Sequence, residues 1–121
     1  MKYSTDSFIA SYIFKGFELV TDEGSCRKGG KILSKCIASN IEAYYDCGLE
    51  CNSLGSCLGF FYRKDLQKCY LLLTSKPANG CINGIWKDFN LLPKYREDLE
   101  AYPKPNAVCY KKIKVDEDER L

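Results

Sequence analysis

Eight cysteines are the residues of this chain best equipped for chemistry: Cys26, Cys36, Cys47, Cys51, Cys57, Cys69, Cys81 and Cys109. Thiols can bind zinc, cycle electrons, attack a carbonyl or pair as disulfides. Zinc and thioredoxin-like redox sites are poorly served, because there is no C-x-x-C pair and no histidine anywhere. The lack of histidine also removes the usual general base for a serine or cysteine nucleophile. An even cysteine count favours complete pairing, which sequence alone permits in about 105 ways. Glu42, Asp46 and Glu50 stand at helical i, i+4 spacing and read as a solvated face, as do Glu97, Asp98 and Glu100. The expectation is a protein that is not an enzyme and that uses no cofactor and no metal.

Basic residues gather in three places: Arg27-Lys28-Lys31-Lys35, Arg63-Lys64-Lys68 and Lys111-Lys112-Lys114. With 18 Lys+Arg against 16 Asp+Glu and a net charge of +2, the interleaved signs exclude a nucleic-acid binder. Gly29-Gly30 lacks the spacing of a phosphate loop and reads as a hairpin turn.

The elements that must position the cysteines centre on residues 39 to 73. Ser39 and Glu42 form a capping-box pattern. Ile41, Tyr44, Tyr45, Cys47, Cys51 and Leu54 then recur at three- and four-residue steps, which predicts a helix with one apolar stripe ending near Gly55. Cys47 and Cys51 therefore project from one side of it. Cys57 to Tyr62 and Lys68 to Leu73 predict a β-hairpin around the polar turn Arg63 to Gln67. Alternation places Cys57, Gly59 and Phe61 on one face and Leu58, Phe60 and Tyr62 on the other. Both faces are apolar, so both should be covered, one of them by the helix.

This segment resembles the PAN/apple domain family. The matching residues are Cys47 and Cys51 in C-x3-C, then Cys57-Leu58-Gly59-Phe60-Phe61-Tyr62, then Cys69. The resemblance implies an α+β fold in which an antiparallel β-sheet packs on one central α-helix, stapled by disulfides. It implies nested bridges, Cys47–Cys69 and Cys51–Cys57, and a tie between the chain ends, Cys26–Cys109. Cys36–Cys81 would be the fourth bridge. It lies outside the minimal family pattern, and an exchange of partners among these last four cysteines stays open. Each bridge would contribute about 2–4 kcal/mol, mainly by restricting the unfolded chain.

The rest of the 121 residues reads as the same single domain, with a core of about 24–115, an N-terminal apolar extension over 1–20 and an acidic tail over 116–121. Phe8 to Phe14 is too short and too interrupted for a signal core or a membrane span, and is expected to pack onto the domain. So many cysteines in a small chain point to an extracellular or otherwise oxidising location, with any leader peptide outside this sequence. Gly16 to Val20, Ile32 to Ile37 and Ala107 to Val115 read as strands. Thr74 to Trp86 reads as turns. Leu91 to Tyr102 reads as a short helix, with Leu92, Tyr95, Leu99 and Tyr102 along one face and Pro103 ending it.

The family's members bind proteins or sulfated polysaccharides, so the resemblance implies a secreted adhesion or recognition module with a protein or glycan ligand. Arg63, Lys64 and Lys68, at the tip of the hairpin, are the candidate ligand-binding residues for an acidic partner. Two other roles remain open: a structural or accessory subunit of a larger extracellular or lumenal assembly, and a secreted inhibitor-like effector. No transmembrane segment is expected.

Overall fold

In a computed structural model, residues 16–89 and 91–113 are described. The expected packing of Phe8 to Phe14, Lys114 and the acidic tail lie outside them. Among the described residues are nine strands and one α-helix, in the order β1 (Phe17–Thr21), β2 (Gly24–Lys28), β3 (Lys31–Ile32), β4 (Lys35–Ala38), α1 (Tyr44–Asn52), β5 (Cys57–Arg63), β6 (Lys68–Leu73), β7 (Ile85–Lys87), β8 (Glu100–Pro103) and β9 (Ala107–Lys112). A six-stranded sheet runs β1-β9-β5-β6-β4-β7, and a three-stranded sheet runs β3-β2-β8. Every strand pairing is antiparallel.

The larger sheet is the middle layer, because both of its central strands are apolar on both sides. On one side lie α1 and a core of Phe60, Tyr62, Leu71, Leu73 and Val108. Phe17, Phe60, Tyr110 and Tyr44 line up ring against ring there, at centroid separations of 5.2, 5.5 and 5.9 Å. Burial, with Tyr44 and Asp22 adding to it, pushes the Tyr110 hydroxyl up to about 12. On the other side the β2–β8 ribbon covers Leu33, Phe61, Leu72, Leu99 and Cys109. The expected cover on both faces of the hairpin is therefore present, with one exception in detail. A register shift between Cys57 and Gly59 moves Cys57 to the face of Phe60 and Tyr62, and Leu58 to the face of Phe61.

Four disulfides lock these layers: Cys26–Cys109, Cys36–Cys81, Cys47–Cys69 and Cys51–Cys57. Three of these, Cys26–Cys109, Cys47–Cys69 and Cys51–Cys57, are pairs that the family resemblance implies; Cys36–Cys81, outside the minimal family pattern, joins the two cysteines left over. Two join α1 to the hairpin, one ties β2 to β9, and one holds the loop before β7 to β4. The Gly29–Gly30 turn joins β2 and β3 with φ of 55° and 78°, the left-handed pair that a tight hairpin requires.

Several local expectations give way to longer-range contacts. The Ser39–Glu42 capping box does not start the helix; Ala43 is its N-cap, with no side-chain cap bond. Instead Asn40 turns at φ 62°, the Ile41 N–H donates to the Gln67 carbonyl at 2.9 Å, and the Tyr62 hydroxyl donates to the Ile41 carbonyl at 2.5 Å. The hairpin thus holds residues 39–43 out of the helix. Within α1 the buried residues are Cys47, Gly48 and Cys51, whereas Tyr45 is exposed. The helix ends at Ser53 through its N–H and hydroxyl on upstream carbonyls, not through a left-handed Gly55.

The expected strand 32–37 is two strands in two sheets. Leu33 and Ser34 make the crossing, both fully buried. The Ser34 hydroxyl satisfies Phe89 on both its N–H and its carbonyl, at 2.7 and 2.9 Å. The expected helix over 91–102 is a single 3₁₀ turn, Arg96–Asp98, followed by β8. The Asp98 carboxylate accepts from the Lys94 and Tyr95 N–H groups at 2.7 and 3.0 Å and from the Lys28 ammonium at 2.9 Å, which closes the chain locally. Leu99 alone of the supposed stripe is buried, and a Cβ on Gly59 would collide with its Cδ1 and with the Tyr110 carbonyl.

Candidate functional site

The basic groups identified in the sequence do not stay separate. Arg63 closes β5 and stands opposite Lys68 in the hairpin register. Its guanidinium donates two bonds to Asp65, Nε to Oδ1 at 2.9 Å and Nη2 to Oδ2 at 2.6 Å. This pair holds the Asp65 carboxyl below its ordinary range and the Arg63 guanidinium above its own. Lys64 begins the turn, exposed, with its backbone N–H on the Asn106 carbonyl at 2.8 Å. Among the described residues no carboxylate lies within ion-pair distance of Lys64 or Lys68. Thus two of the three hairpin cations are free and the third is internally matched.

Behind Arg63, on the side of the hairpin that faces the smaller sheet, is a cavity of about 200 Å³. Its inner wall is the stacked pair Phe61 and Tyr70, directly opposite in the register, 4.3 Å apart and 6° from parallel. Arg27 and Ser25 come from β2, Lys35 from β4, and Lys104 from the turn after β8. Four lining residues, Arg27, Lys35, Arg63 and Lys104, are cationic, and none is acidic.

Lys35 is the unusual member. It is 5% exposed, yet its ammonium has no ion pair and no hydrogen bond among the described residues. It lies 5.0 Å from the ring centres of Phe61 and Phe89 and 6.0 Å from that of Tyr70. Those rings attract a cation weakly. Burial first, then the charges of Arg27 and Lys104, push its pKa down to about 8. The Ser25 hydroxyl is also buried and has no hydrogen-bond partner among the described residues. Arg27 is held in place, its guanidinium 3.7 Å from the Tyr102 ring and donating to the Gly30 carbonyl.

Two other concavities differ in chemistry. One of about 390 Å³ is lined by Leu58, Lys94, Arg96, Glu97 and Lys112, so it mixes both signs of charge, and two of its three cations are already engaged. Arg96 bonds Glu18 and the Lys112 carbonyl, and the Lys112 ammonium donates to the Leu54 carbonyl. The other, of about 280 Å³, is apolar and is lined by the Cys36–Cys81 bridge, Leu54, Leu71 and Ile82, with Glu50 as its single charged residue. All eight cysteines are bridged, so no thiol is available as a nucleophile or ligand. Among the described residues no helix is long and apolar enough to cross a membrane.

The sequence places Arg63, Lys64 and Lys68 at the hairpin turn, where they are found, but not the cavity behind them. In the sequence Arg27 and Lys35 stand in a separate basic group, and Ser25 and Lys104 in none. A detectable signal is the Lys35 position itself, a lysine among Ile32, Leu33, Cys36 and Ile37. Comparison of the chain with protein-family models, curated proteins and solved structures finds no match.

Proposed function

We propose that this chain is a non-catalytic, disulfide-stabilised binding module of the PAN/apple type, which engages an acidic protein or carbohydrate partner through the hairpin tip and the basic cavity behind it. The observation that carries this reading is the convergence of Arg27, Lys35, Arg63 and Lys104 on one cavity without a lining carboxylate. Structural cations at a protein surface are usually interspersed with acids; a one-signed concavity concentrates a field that draws in the opposite charge. The helix stapled to the hairpin and the bridge between β2 and β9 support the family reading. Four disulfides in a small domain fit an oxidising location, and secretion is the reading we adopt.

A heparin column supplies the test. The Arg63/Lys64/Lys68→Ala variant is expected to elute at lower salt than wild type, with Lys64 and Lys68 responsible for most of the shift because Arg63 is already paired. Elution of both at the same salt would dispose of the hairpin tip as a contact surface.

A second role, as an accessory subunit of a larger assembly, has its own support. β7 is an outermost strand, and Ile82 and Ile85 beside the apolar cavity are 76% and 68% exposed. Exposed apolar groups next to an open strand edge suit a protein contact. The size of the purified chain in solution separates the two: a monomer at all concentrations supports the module, and self-association or a stoichiometric companion supports the subunit.

A further inference from the structure

We infer that the Lys35 cavity is a specificity pocket for one oxyanion group, a carboxylate or a sulfate, carried on a flat ring, with the Lys35 ammonium as counter-ion and the Ser25 hydroxyl as hydrogen-bond donor. This deepens the binding-module reading and rests on it only for the identity of the larger partner.

Size and charge narrow the occupant together. A cavity of about 200 Å³ falls below the range of roughly 300–1,000 Å³ typical of whole drug-sized ligands. It therefore admits a single substituted ring and not a length of polymer. Arg27, Lys35 and Lys104, none of them matched by a carboxylate among the described residues, disfavour a cationic ligand or a metal ion, while Arg63 is already matched by Asp65. A neutral apolar ligand would leave the Lys35 ammonium more deeply desolvated and still unpaired, which is costly. An anion removes that cost, since buried charges are retained where they are paired.

Orientation follows from the same residues. Phe61 and Tyr70, stacked on each other, line the cavity with aromatic surface, and Lys35 stands over the ring of Phe61. An anionic group that meets the ammonium can leave its ring against this surface. The Ser25 Oγ, with no partner among the described residues, is free to donate. Arg27, braced on Tyr102, and Lys104 close the rim with positive charge.

Binding is expected to depend on pH through Lys35. The groups that face it are Arg27 from β2, Arg63 from β5, Tyr70 from β6, Lys104 after β8, and Lys87 opposite it on β7. The Arg63 guanidinium, held above its ordinary range by its bond to Asp65, keeps its charge, and the Tyr70 hydroxyl, pushed up by burial, stays neutral. An anion prefers the charged ammonium, so affinity is highest below about pH 8 and falls as pH rises through that value.

The full disulfide-bonded chain should be titrated calorimetrically with benzoate, phenyl sulfate, acetate and inorganic sulfate. Expected are saturable binding of the two ringed anions, weaker binding of acetate and inorganic sulfate, and a loss of roughly tenfold or more in Lys35→Met. Ser25→Ala should weaken the ringed anions severalfold. The stronger of benzoate and phenyl sulfate then identifies the group as carboxylate or sulfate. Ringed anions that fail to bind, that bind Lys35→Met as tightly as wild type, or that bind equally from pH 6 to pH 9.5 would overturn the inference. The pH profile of wild type stands even if Lys35→Met misfolds. Heparin retention by a chain that binds none of the four probes would sink the pocket and leave the module; probe binding with unchanged heparin elution in the Arg63/Lys64/Lys68→Ala variant would do the reverse.

Discussion

At the scale of single residues, Lys35 shows how a site can oppose the stability of its own fold. Its pKa of about 8, against an ordinary 10.5, means that folding disfavours the charged form. Below pH 8 the lysine is protonated in both states and the folded chain bears the whole penalty. Between about 8 and 10.5 the folded lysine is already neutral while the unfolded one is charged, so the penalty shrinks as pH rises, and above 10.5 it is gone. Lys35→Met, which keeps the length and removes the charge, is therefore expected to stabilise the protein at pH 7 by roughly 2–3 kcal/mol, after allowance for the lost attraction to the rings. The gain should fade towards pH 10. Urea unfolding of both chains at the two pH values, with disulfides intact, checks the sign and the fading. Lys35 could be read as basic from the sequence, but its burial could not, because that depends on β2 folding over β5 and β9 and on Phe61, Tyr70 and Phe89 closing around its ammonium.

At the scale of elements, the hairpin β5–β6 dictates what its neighbours do. It holds α1 by two disulfides and delays the start of that helix by holding Ile41 through Gln67 and Tyr62. Tyr62→Phe removes the donor to the Ile41 carbonyl and is expected to cost about 1 kcal/mol. It should also quicken hydrogen exchange at the Ile41 amide while leaving amides in the middle of β5 unchanged. Uniform acceleration, or none, would count against a local clamp. The helix, the hairpin and β9 were legible because each has its own period and its own turn residues. The split of 32–37 into β3 and β4, and the strands β7 and β8, were not. They are defined by partners far away in the chain: β7 by β4, β8 by β2. The 91–102 stretch is the clearest case, since its helical spacing lost to pairing with Gly24–Arg27 and to the local closure around Asp98.

At the scale of the whole molecule, the four bridges differ mainly in how much chain they restrain. Cys26–Cys109 spans 83 residues and Cys51–Cys57 only 6. Loop entropy alone gives about 4.6 kcal/mol for the first and about 2.4 kcal/mol for the second. Replacing Cys26 and Cys109 by Ser is thus expected to lower stability by about 2 kcal/mol more than replacing Cys51 and Cys57, as judged by denaturant midpoints at equal slope. The reverse order would mean that the short bridge matters through packing at the α1–β5 junction. The cavity itself belongs to this scale: β2, β4, β5, β6 and the turn after β8 each supply a wall, so only the complete fold assembles it.

One contact at the sheet margin reaches further. β1 runs antiparallel to β9, and the Ile113 N–H donates to the Gly16 carbonyl at 2.8 Å. Residues 16 and 113 therefore share a common doorway, as the two ends of a cassette do. Spliced into an exposed loop of a host protein, residues 16–113 would spread that loop by no more than the gap between neighbouring strands, about 5 Å. The host's own architecture would hardly register the insertion.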